Sequence, residues 1–184
     1  MTRPMLFLDV DGVLNPYAAA ICPDGFIEHE VFPGEEPIRV NAGHGHWVSE
    51  LLGLMDVCWA TGWNDNANEL LAPLLGLAAF PVVRMPVPFR PAEKVARIAA
   101  HAGQRPAAWI DDIHTPEAYA WASERTAPTL LVTTDPAIGL TRESIERVLA
   151  WCAVETKKRP PRRPVARFEL LVVGERLELS TLRL

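Results

Sequence analysis

The sequence predicts an α/β fold in which a central parallel sheet lies between layers of helices. Two observations favour this class: short apolar runs of strand length recur along the chain, and segments with helical spacing separate them. The first run is apolar at every position, as in a strand that is buried on both faces of a parallel sheet. Such alternation is typical of a three-layer α/β/α, Rossmann-like architecture. The predicted strands are residues 5–10, 56–60, 79–83, 107–110 and 129–133.

Five segments with helical spacing lie between these strands or follow them. They are residues 46–55, 64–76, 91–102, 116–124 and 141–154. The last helix has a clear start, because Thr141 and Ser144 are residue types that cap helices. His44 and His46 have the residue type of a metal-binding pair, but we interpret His44-Gly45-His46 as a flexible segment that leads into the first helix.

Residues 15–43 interrupt the alternation of strands and helices. Within them, residues 26–32 and 38–40 have the pattern of two short strands, joined by a segment with two prolines and a glycine. The whole stretch is too short to bury a core of its own. We therefore expect a hairpin-like flap, over about residues 17–43, that lies above the carboxyl end of the first strand.

Composition indicates one folded domain and a basic appendage. The chain has 184 residues and a net charge of −5, and we expect a domain over residues 1–154 followed by a flexible, proline-rich linker and tail over residues 155–184. Acidic side chains outnumber basic ones before residue 155, which argues against a broad nucleic-acid surface on the domain. Three cysteines without paired spacing, and no apolar run of the roughly 20 residues that cross a bilayer, favour a cytoplasmic protein.

The first strand ends in two carboxylates, Asp9 and Asp11, followed by a glycine. Open α/β sheets bind their ligands at the carboxyl ends of their strands. Two carboxylates at this position repel each other and lose hydration, unless a cation or the electrophilic centre of a substrate lies beside them. The pair therefore predicts a metal-dependent site.

Three other polar segments are expected at the same edge of the sheet. Thr61 and Gly62 follow the second strand, Lys94 lies near the start of the 91–102 helix, and Asp111 and Asp112 close a later strand. Taken singly, each has an ordinary structural explanation, such as a helix cap or a solvated lysine. Their order along the chain, after successive strands that converge in a parallel sheet, favours one site.

These segments, in this order, resemble the haloacid dehalogenase (HAD) superfamily of phosphohydrolases over about residues 5–135. The segment Asp-Val-Asp-Gly-Val-Leu at residues 9–14 is the most specific part of the resemblance. The resemblance implies a HAD-like fold and a Mg²⁺-dependent phosphatase. No segment is long enough for a full cap domain, and the motifs are similar to those of capless HAD domains that are associated with RNA-repair proteins. A phosphorylated substrate is implied, and an open site without a cap suits a macromolecule such as a nucleic-acid end or a protein, with small phosphate esters as the alternative.

The resemblance also implies a role for each matching residue. Asp9 would be the nucleophile that takes the phosphoryl group, and Asp11 would protonate the leaving oxygen and then activate water. Thr61, with Gly62 beside it, would bind the phosphoryl oxygens. Lys94 would neutralise charge next to the nucleophile and contact the phosphate.

The implied magnesium site consists of Asp9, Asp11 through its main-chain carbonyl, and one of Asp111 and Asp112. Oxygen ligands of this kind suit Mg²⁺, and a cation is needed because nucleophile and substrate are both anionic. The sequence leaves open which of the two adjacent aspartates binds the metal. It also leaves open whether Arg84 or Arg90, which precede Lys94, neutralises the phosphate instead.

Two other functions stay open from the sequence. A degenerate domain could retain the acidic pocket for binding alone, and a phosphotransferase would pass the phosphoryl group to an acceptor other than water. Asp11 argues against carbon–halogen hydrolysis, because dehalogenases of the superfamily need the first aspartate but no acid two residues later. Trp63, next to the Thr61 motif, is expected either to line the pocket mouth or to pack under the flap.

Overall fold

The computed structural model of this protein describes residues 3–157. Four strands form a parallel sheet in the order β4-β1-β5-β6, and two others form a separate antiparallel pair, β2-β3. The predicted three-layer α/β/α class is confirmed. In chain order, the elements are β1 (Met5–Leu8), β2 (Ile27–His29), β3 (Ile38–Val40), α1 (Gly43–Leu52), β4 (Asp56–Trp59), α2 (Pro91–Ala102), β5 (Ala107–Asp111), α3 (Pro116–Glu124), β6 (Thr129–Thr133) and α4 (Arg142–Lys157).

Strand β1 lies between two hydrophobic cores, one on each face of the sheet. Its side chains alternate between the faces, as in any strand. Leu6 and Leu8 belong to the core that includes side chains of α1 and α4. Met5 and Phe7 belong to the other core, which includes side chains of α2 and α3. All four residues are buried, so the backbone that leads to Asp9 is held from both sides.

The predicted strand at residues 79–83 is wrong. Only Val82 pairs with the sheet, through a single bridge to Trp59 at the edge strand β4. Pro81 explains the difference, because proline has no N–H to donate to a ladder. Its carbonyl still accepts the Trp59 N–H at 2.9 Å, and the Val83 N–H reaches the Trp59 carbonyl at 2.8 Å. The segment therefore borders the sheet without becoming a strand.

The predicted regular helix at residues 64–76 is also wrong in form. The structure has a short π-helix at Ala67–Leu71, followed by a 3-10 helix at Ala72–Leu75. Pro73 lies in the middle of this stretch and cannot donate the hydrogen bond that an α-helix requires there. The wider π-helical turn precedes Pro73, and the tighter 3-10 turn contains it. Together they keep the chain helical without that bond.

The first helix begins earlier than predicted. Residues 43–45 form its first turn, and His44 is buried, so the flexible segment expected there is absent from this part of the structure. Gly45 is the physical reason: a Cβ at this position would lie 1.8 Å from the carbonyl oxygen of Leu75. The helix can approach the Leu75 backbone so closely only because residue 45 has no side chain.

The last helix has the predicted cap and ends later than expected. The Ser144 N–H donates to the hydroxyl of Thr141 at 3.2 Å, as in other capped helix starts. Helix α4 continues to Lys157, past the expected end at residue 154. The rest of the predicted linker and tail lies outside the described residues. Among the residues described, none of the helices has the length and apolar character needed to cross a membrane.

The predicted flap is present as the β2-β3 hairpin, with shorter strands than expected. Glu28 and Arg39 are paired across the two strands, and their side chains form an ion pair at 3.2 Å. The Arg39 guanidinium also donates to the carbonyl of Ala19 at 2.6 Å, and its main-chain N–H donates to Asn15 at 3.0 Å. These bonds join the hairpin to the loop that follows β1.

We expect Gly45→Ala to destabilise the fold, because the added methyl group collides with the backbone of Leu75. Overpacking of this kind typically costs about 1–3 kcal/mol in the free energy of unfolding, which urea unfolding followed by circular dichroism measures. Gly53→Ala is the matched control, since its Cβ would meet only the Glu50 carbonyl at 3.8 Å. Equal unfolding midpoints for the two variants would contradict the close approach of the 3-10 helix to α1.

Candidate active site

Lys94 lies between two buried carboxylates at the carboxyl end of the sheet. Asp9 follows β1, Asp111 ends β5, and Lys94 reaches them from the first turns of α2. The Lys94 ammonium donates to the Asp9 carboxylate and, at 2.7 Å, to Oδ2 of Asp111. All three residues are buried, each at most 5% exposed. The positive charge therefore offsets the repulsion between two anions that share one small volume.

Further hydrogen bonds hold the carboxylates of Asp9 and Asp111. The main-chain N–H of Val10 donates to Asp9 at 2.8 Å. The indole N–H of Trp109 donates to Asp111 at 2.9 Å, and the main-chain N–H of Ile113 donates to its other oxygen at 3.0 Å. Trp109 was not identified from the sequence, although it lies two residues before Asp111, on the same face of the same strand.

Three carboxylates form a group that fits a metal ion. One ligand oxygen each from Asp9, Asp111 and Asp112 lie within 4.8 Å of one another. Carboxylate oxygens at the mouth of a cavity are the donors that hard divalent cations prefer. Gly12 packs against this group, because a Cβ there would lie 2.5 Å from the Asp112 side chain. Its φ of +71° is also one that glycine adopts most readily.

Burial raises the pKa values of the carboxylates in this group. Desolvation, followed by the charge of Asp111, raises the pKa of Asp9 to about 7, against the opposing effect of Lys94. Desolvation also raises the pKa of Asp111 and that of Asp112. For Lys94, burial alone would lower the pKa, but the charges of Asp9 and Asp111 outweigh it and raise the pKa. Of these carboxyl groups, Asp9 therefore has a pKa near neutral pH.

The side chain of Asp11 is separate from the three-carboxylate group. Asn15 donates to one of its oxygens at 2.8 Å, and the indole N–H of Trp63 donates to the other at 2.8 Å. Its pKa is raised by burial, and these two hydrogen bonds oppose the rise. Both carboxylate oxygens already accept hydrogen bonds from the protein, so the predicted metal role of Asp11 is left to its main-chain carbonyl.

Thr61 and Gly62 lie directly after β4 and line the same cavity. The Thr61 hydroxyl oxygen accepts the main-chain N–H of Trp63 at 3.3 Å, which leaves the hydroxyl hydrogen to be donated. Gly62 lies against the ring of Phe89, because a Cβ there would be 2.6 Å from that ring. Trp63 does both of the things considered for it: it lines the cavity, and its ring packs edge-on against Phe32 of the flap, with 4.9 Å between centroids.

The cavity above these residues has a volume of about 720 Å³ and is bounded on one side by the flap. Arg84 and Arg90 do not line it: the first forms an ion pair with Asp65 and the second with Glu93. The cation beside Asp9 is therefore Lys94. The flap adds three acidic side chains to the cavity wall. They are Glu28, Glu35 and Glu36.

Asn15 and Tyr17 are further site residues that the sequence reasoning did not identify. Asn15 bonds to Asp11, and the Tyr17 hydroxyl donates to Asp112 at 3.3 Å. Asn15 lies four residues after Asp11, and this spacing is the only signal in the sequence that points to it. Nothing local predicts the Tyr17 contact, because its partner lies in the loop after β5.

A family comparison matches most of the chain. The profile of the HAD domain in Swiss Army Knife RNA repair proteins matches residues 5–145. No curated protein matches the sequence. A crystal structure of a hypothetical protein from Xanthomonas campestris is similar at 17% identity and a TM-score of 0.45, covering 86% of this chain and 90% of that one. The family match spans the strands and loops that supply all the site residues described above, and the chain therefore belongs to the HAD-domain family of Swiss Army Knife RNA repair proteins.

Proposed function

We propose that this protein is a Mg²⁺-dependent phosphatase that hydrolyses a phosphomonoester through an aspartyl-phosphate at Asp9. The observation that carries the proposal is the contact of Lys94 with both Asp9 and Asp111 inside a cavity that Asp11 and Thr61 also line. Family membership supports a phosphatase-type role, since HAD domains are phosphohydrolases in many of their forms.

The chain's own residues supply the steps of the reaction. The Asp9 carboxylate attacks phosphorus, and the bond from phosphorus to the leaving oxygen breaks as Asp11 gives that oxygen its proton. Asp11, now a carboxylate, takes a proton from water as the water attacks the phosphorus of the aspartyl-phosphate. This attack releases inorganic phosphate and restores Asp9. Covalent catalysis of this kind divides one difficult hydrolysis into two easier displacements.

Two neighbouring side chains manage charge during these steps. Lys94 offsets the negative charge that collects where Asp9 meets the phosphate, and it acts as a compact point charge. The Thr61 hydroxyl is available to donate to a phosphoryl oxygen. Asp9, Asp111, Asp112 and the Asp11 carbonyl would hold Mg²⁺, which when bound supplies positive charge to the phosphoryl oxygens.

The identity of the phosphomonoester is a separate question, on which two observations point in opposite directions. The family is named after RNA repair proteins, which favours a phosphorylated nucleic-acid end. The acidic flap residues favour a leaving group without additional negative charge, because they would repel the backbone of a polynucleotide. Arg39 offsets the charge of Glu28, to which it is paired, but not the charges of Glu35 and Glu36. A small phosphomonoester is the first candidate, and a nucleic-acid end the second.

We expect Asp9→Asn to lower the release of phosphate from p-nitrophenyl phosphate, with Mg²⁺ present, by at least about a thousandfold, because the amide cannot act as the nucleophile. A malachite-green assay measures the phosphate. Asp24→Asn, an exposed aspartate outside the cavity, is the matched control and should keep full activity. Substantial activity in Asp9→Asn would refute the mechanism, and a wild-type protein that binds Mg²⁺ but hydrolyses no member of a broad phosphate panel would favour the binding-module alternative.

We expect Mg²⁺ to stabilise the protein more at about pH 8 than at about pH 5.5, as measured by the shift of Tm in thermal unfolding. In the metal-free fold Asp9 keeps its proton up to about pH 7, whereas the unfolded chain releases it near 3.8. The free energy of unfolding of the metal-free protein therefore falls as pH rises through this window. Mg²⁺ needs the ionised carboxylates, so it competes with protons below about pH 7 and meets little competition above it.

The control for this measurement is Asp9→Asn, which removes the carboxylate that titrates near neutral pH. In this variant the Mg²⁺-induced shift of Tm should be small and should change little between the two pH values. A wild-type shift that is equal at both values, or larger at the lower one, would be inconsistent with a metal site built on Asp9.

We expect Glu35→Lys to raise kcat/KM for a 3′- or 5′-phosphorylated oligonucleotide by about two- to tenfold at low ionic strength, through improved electrostatic attraction. Activity on p-nitrophenyl phosphate should change less, because that substrate has no further phosphates. Glu30→Lys is the matched control: it makes the same charge change on an exposed flap residue that does not line the cavity. Equal effects of the two substitutions would show that cavity charge does not govern substrate choice.

A further inference from the structure

The carboxylate of Asp11 is held by one donor on each oxygen, and both donors are side chains. Asn15 donates its amide N–H to one oxygen at 2.8 Å, and Trp63 donates its indole N–H to the other at 2.8 Å. A carboxylate bonded in this way cannot rotate without breaking both bonds. The two donors come from different parts of the chain, the loop after β1 and the loop after β4.

Both donors are in turn held by the flap. The amide oxygen of Asn15 accepts the main-chain N–H of Arg39, in β3, at 3.0 Å. The ring of Trp63 packs against Phe32, in the loop between β2 and β3, with an interplanar angle of 72°. Edge-to-face contacts of this kind fix the relative orientation of two rings. The flap therefore reaches Asp11 by two routes, one through each donor.

Asp11 differs in this respect from Asp9 and Asp111, the two carboxylates that contact Lys94. Asp9 and Asp111 are held by Lys94, by Trp109 and by main-chain N–H groups, all of which belong to the sheet, its helices and the loops at its edge. Asp11, by contrast, has two side-chain donors, and residues of the hairpin contact both of them. If the flap only stabilised the fold, its contacts would not need to converge on the two donors to Asp11.

We propose that Asn15 and Trp63 are positioning residues that aim the Asp11 carboxyl group at the leaving oxygen, and that the flap holds both of them in place. This rests on the proposed function, which assigns the proton transfer to Asp11. The flap then contributes to proton transfer as well as to substrate contact. A misaimed Asp11 would impair the departure of the leaving group while leaving the attack by Asp9 and the binding of phosphate intact.

Leaving groups of different acidity separate these effects. An alkyl phosphate needs its leaving oxygen protonated, whereas 2,4-dinitrophenolate departs without a proton. The quantity to compare is kcat/KM, because it reports the steps up to departure of the leaving group and excludes the later attack of water on the aspartyl-phosphate. A general loss of folding or of phosphate binding lowers kcat/KM for both substrates by the same factor.

Trp63→Phe is the principal variant, because it keeps an aromatic ring near Phe32 and removes the N–H donor together with one ring of the indole. We expect kcat/KM for an alkyl phosphate to fall by about tenfold or more, and for 2,4-dinitrophenyl phosphate by less than about twofold. Asn15→Ala should give the same pattern. Trp151→Phe, a partly buried tryptophan in α4, is the matched control and should affect neither substrate.

A second measurement tests the part played by the flap without using activity. In the intact protein, the indole N–H of Trp63 should exchange slowly with solvent in ¹⁵N-resolved NMR spectra, because it is bonded to Asp11. Phe32→Leu keeps an apolar side chain but removes the ring contact, and should speed this exchange and reduce the alkyl phosphate activity selectively. Phe26→Leu, a flap ring that packs on His44 instead, should leave the exchange unchanged.

The outcomes are distinct. Selective loss with the poor leaving group, together with faster indole exchange in Phe32→Leu, supports the proposal. Equal losses on both substrates, or unchanged exchange in Phe32→Leu, overturns it and leaves the proposed function standing. A wild-type protein that hydrolyses neither substrate with Mg²⁺ overturns the proposed function, and the positioning role with it.

Discussion

The positive charge of Lys94, buried between Asp9 and Asp111, is the interaction on which the rest of the site depends. Two anions cannot remain ionised side by side in a desolvated volume without a partner. Removing one member of such a buried group typically costs about 3–5 kcal/mol, yet apolar side chains in its place are often no less stable. The burial of these charges is therefore better explained by the chemistry they support than by the stability they add. Lys94 also contacts two of the three carboxylates that lie close together at this edge of the sheet.

The sheet makes this arrangement possible, because it brings together residues that are far apart in the chain. Strand β1 is the second of four parallel strands, with β4 on one side and β5 on the other. Two cores enclose it, so the strand ends cannot move independently. Lys94 adds a further link, because its backbone belongs to α2, which packs on one face of the sheet. Its ammonium group contacts Asp9 and Asp111 at the ends of two strands. The geometry of the site therefore depends on the packing of the two cores.

The sequence allowed the α/β class to be predicted, and also the position of Asp9, Thr61 and Asp111 around one cavity, because each of them follows a buried apolar run. Departures from prediction have physical causes that are not local. Pro73 is visible in the sequence, but the π and 3-10 turns that accommodate it depend on packing. The sequence predicts flexibility at Gly45, because the Leu75 backbone against which it packs lies 30 residues away in the chain. The bond from Trp63 to Asp11 joins residues that are 52 apart in the chain, and no local pattern signals it.

The flap hairpin has a sheet of its own and leaves the four-stranded sheet uninterrupted. The turn between its two strands can therefore vary in length and sequence, whereas Ile38 and Val40 of β3 belong to the hydrophobic core that also contains Leu6 and Leu8. Two positions limit that freedom: an aromatic ring where Phe32 stands, and a main-chain N–H where Arg39 stands. A hairpin grafted from another protein would have to provide both if Asn15 and Trp63 are to stay in place beside Asp11.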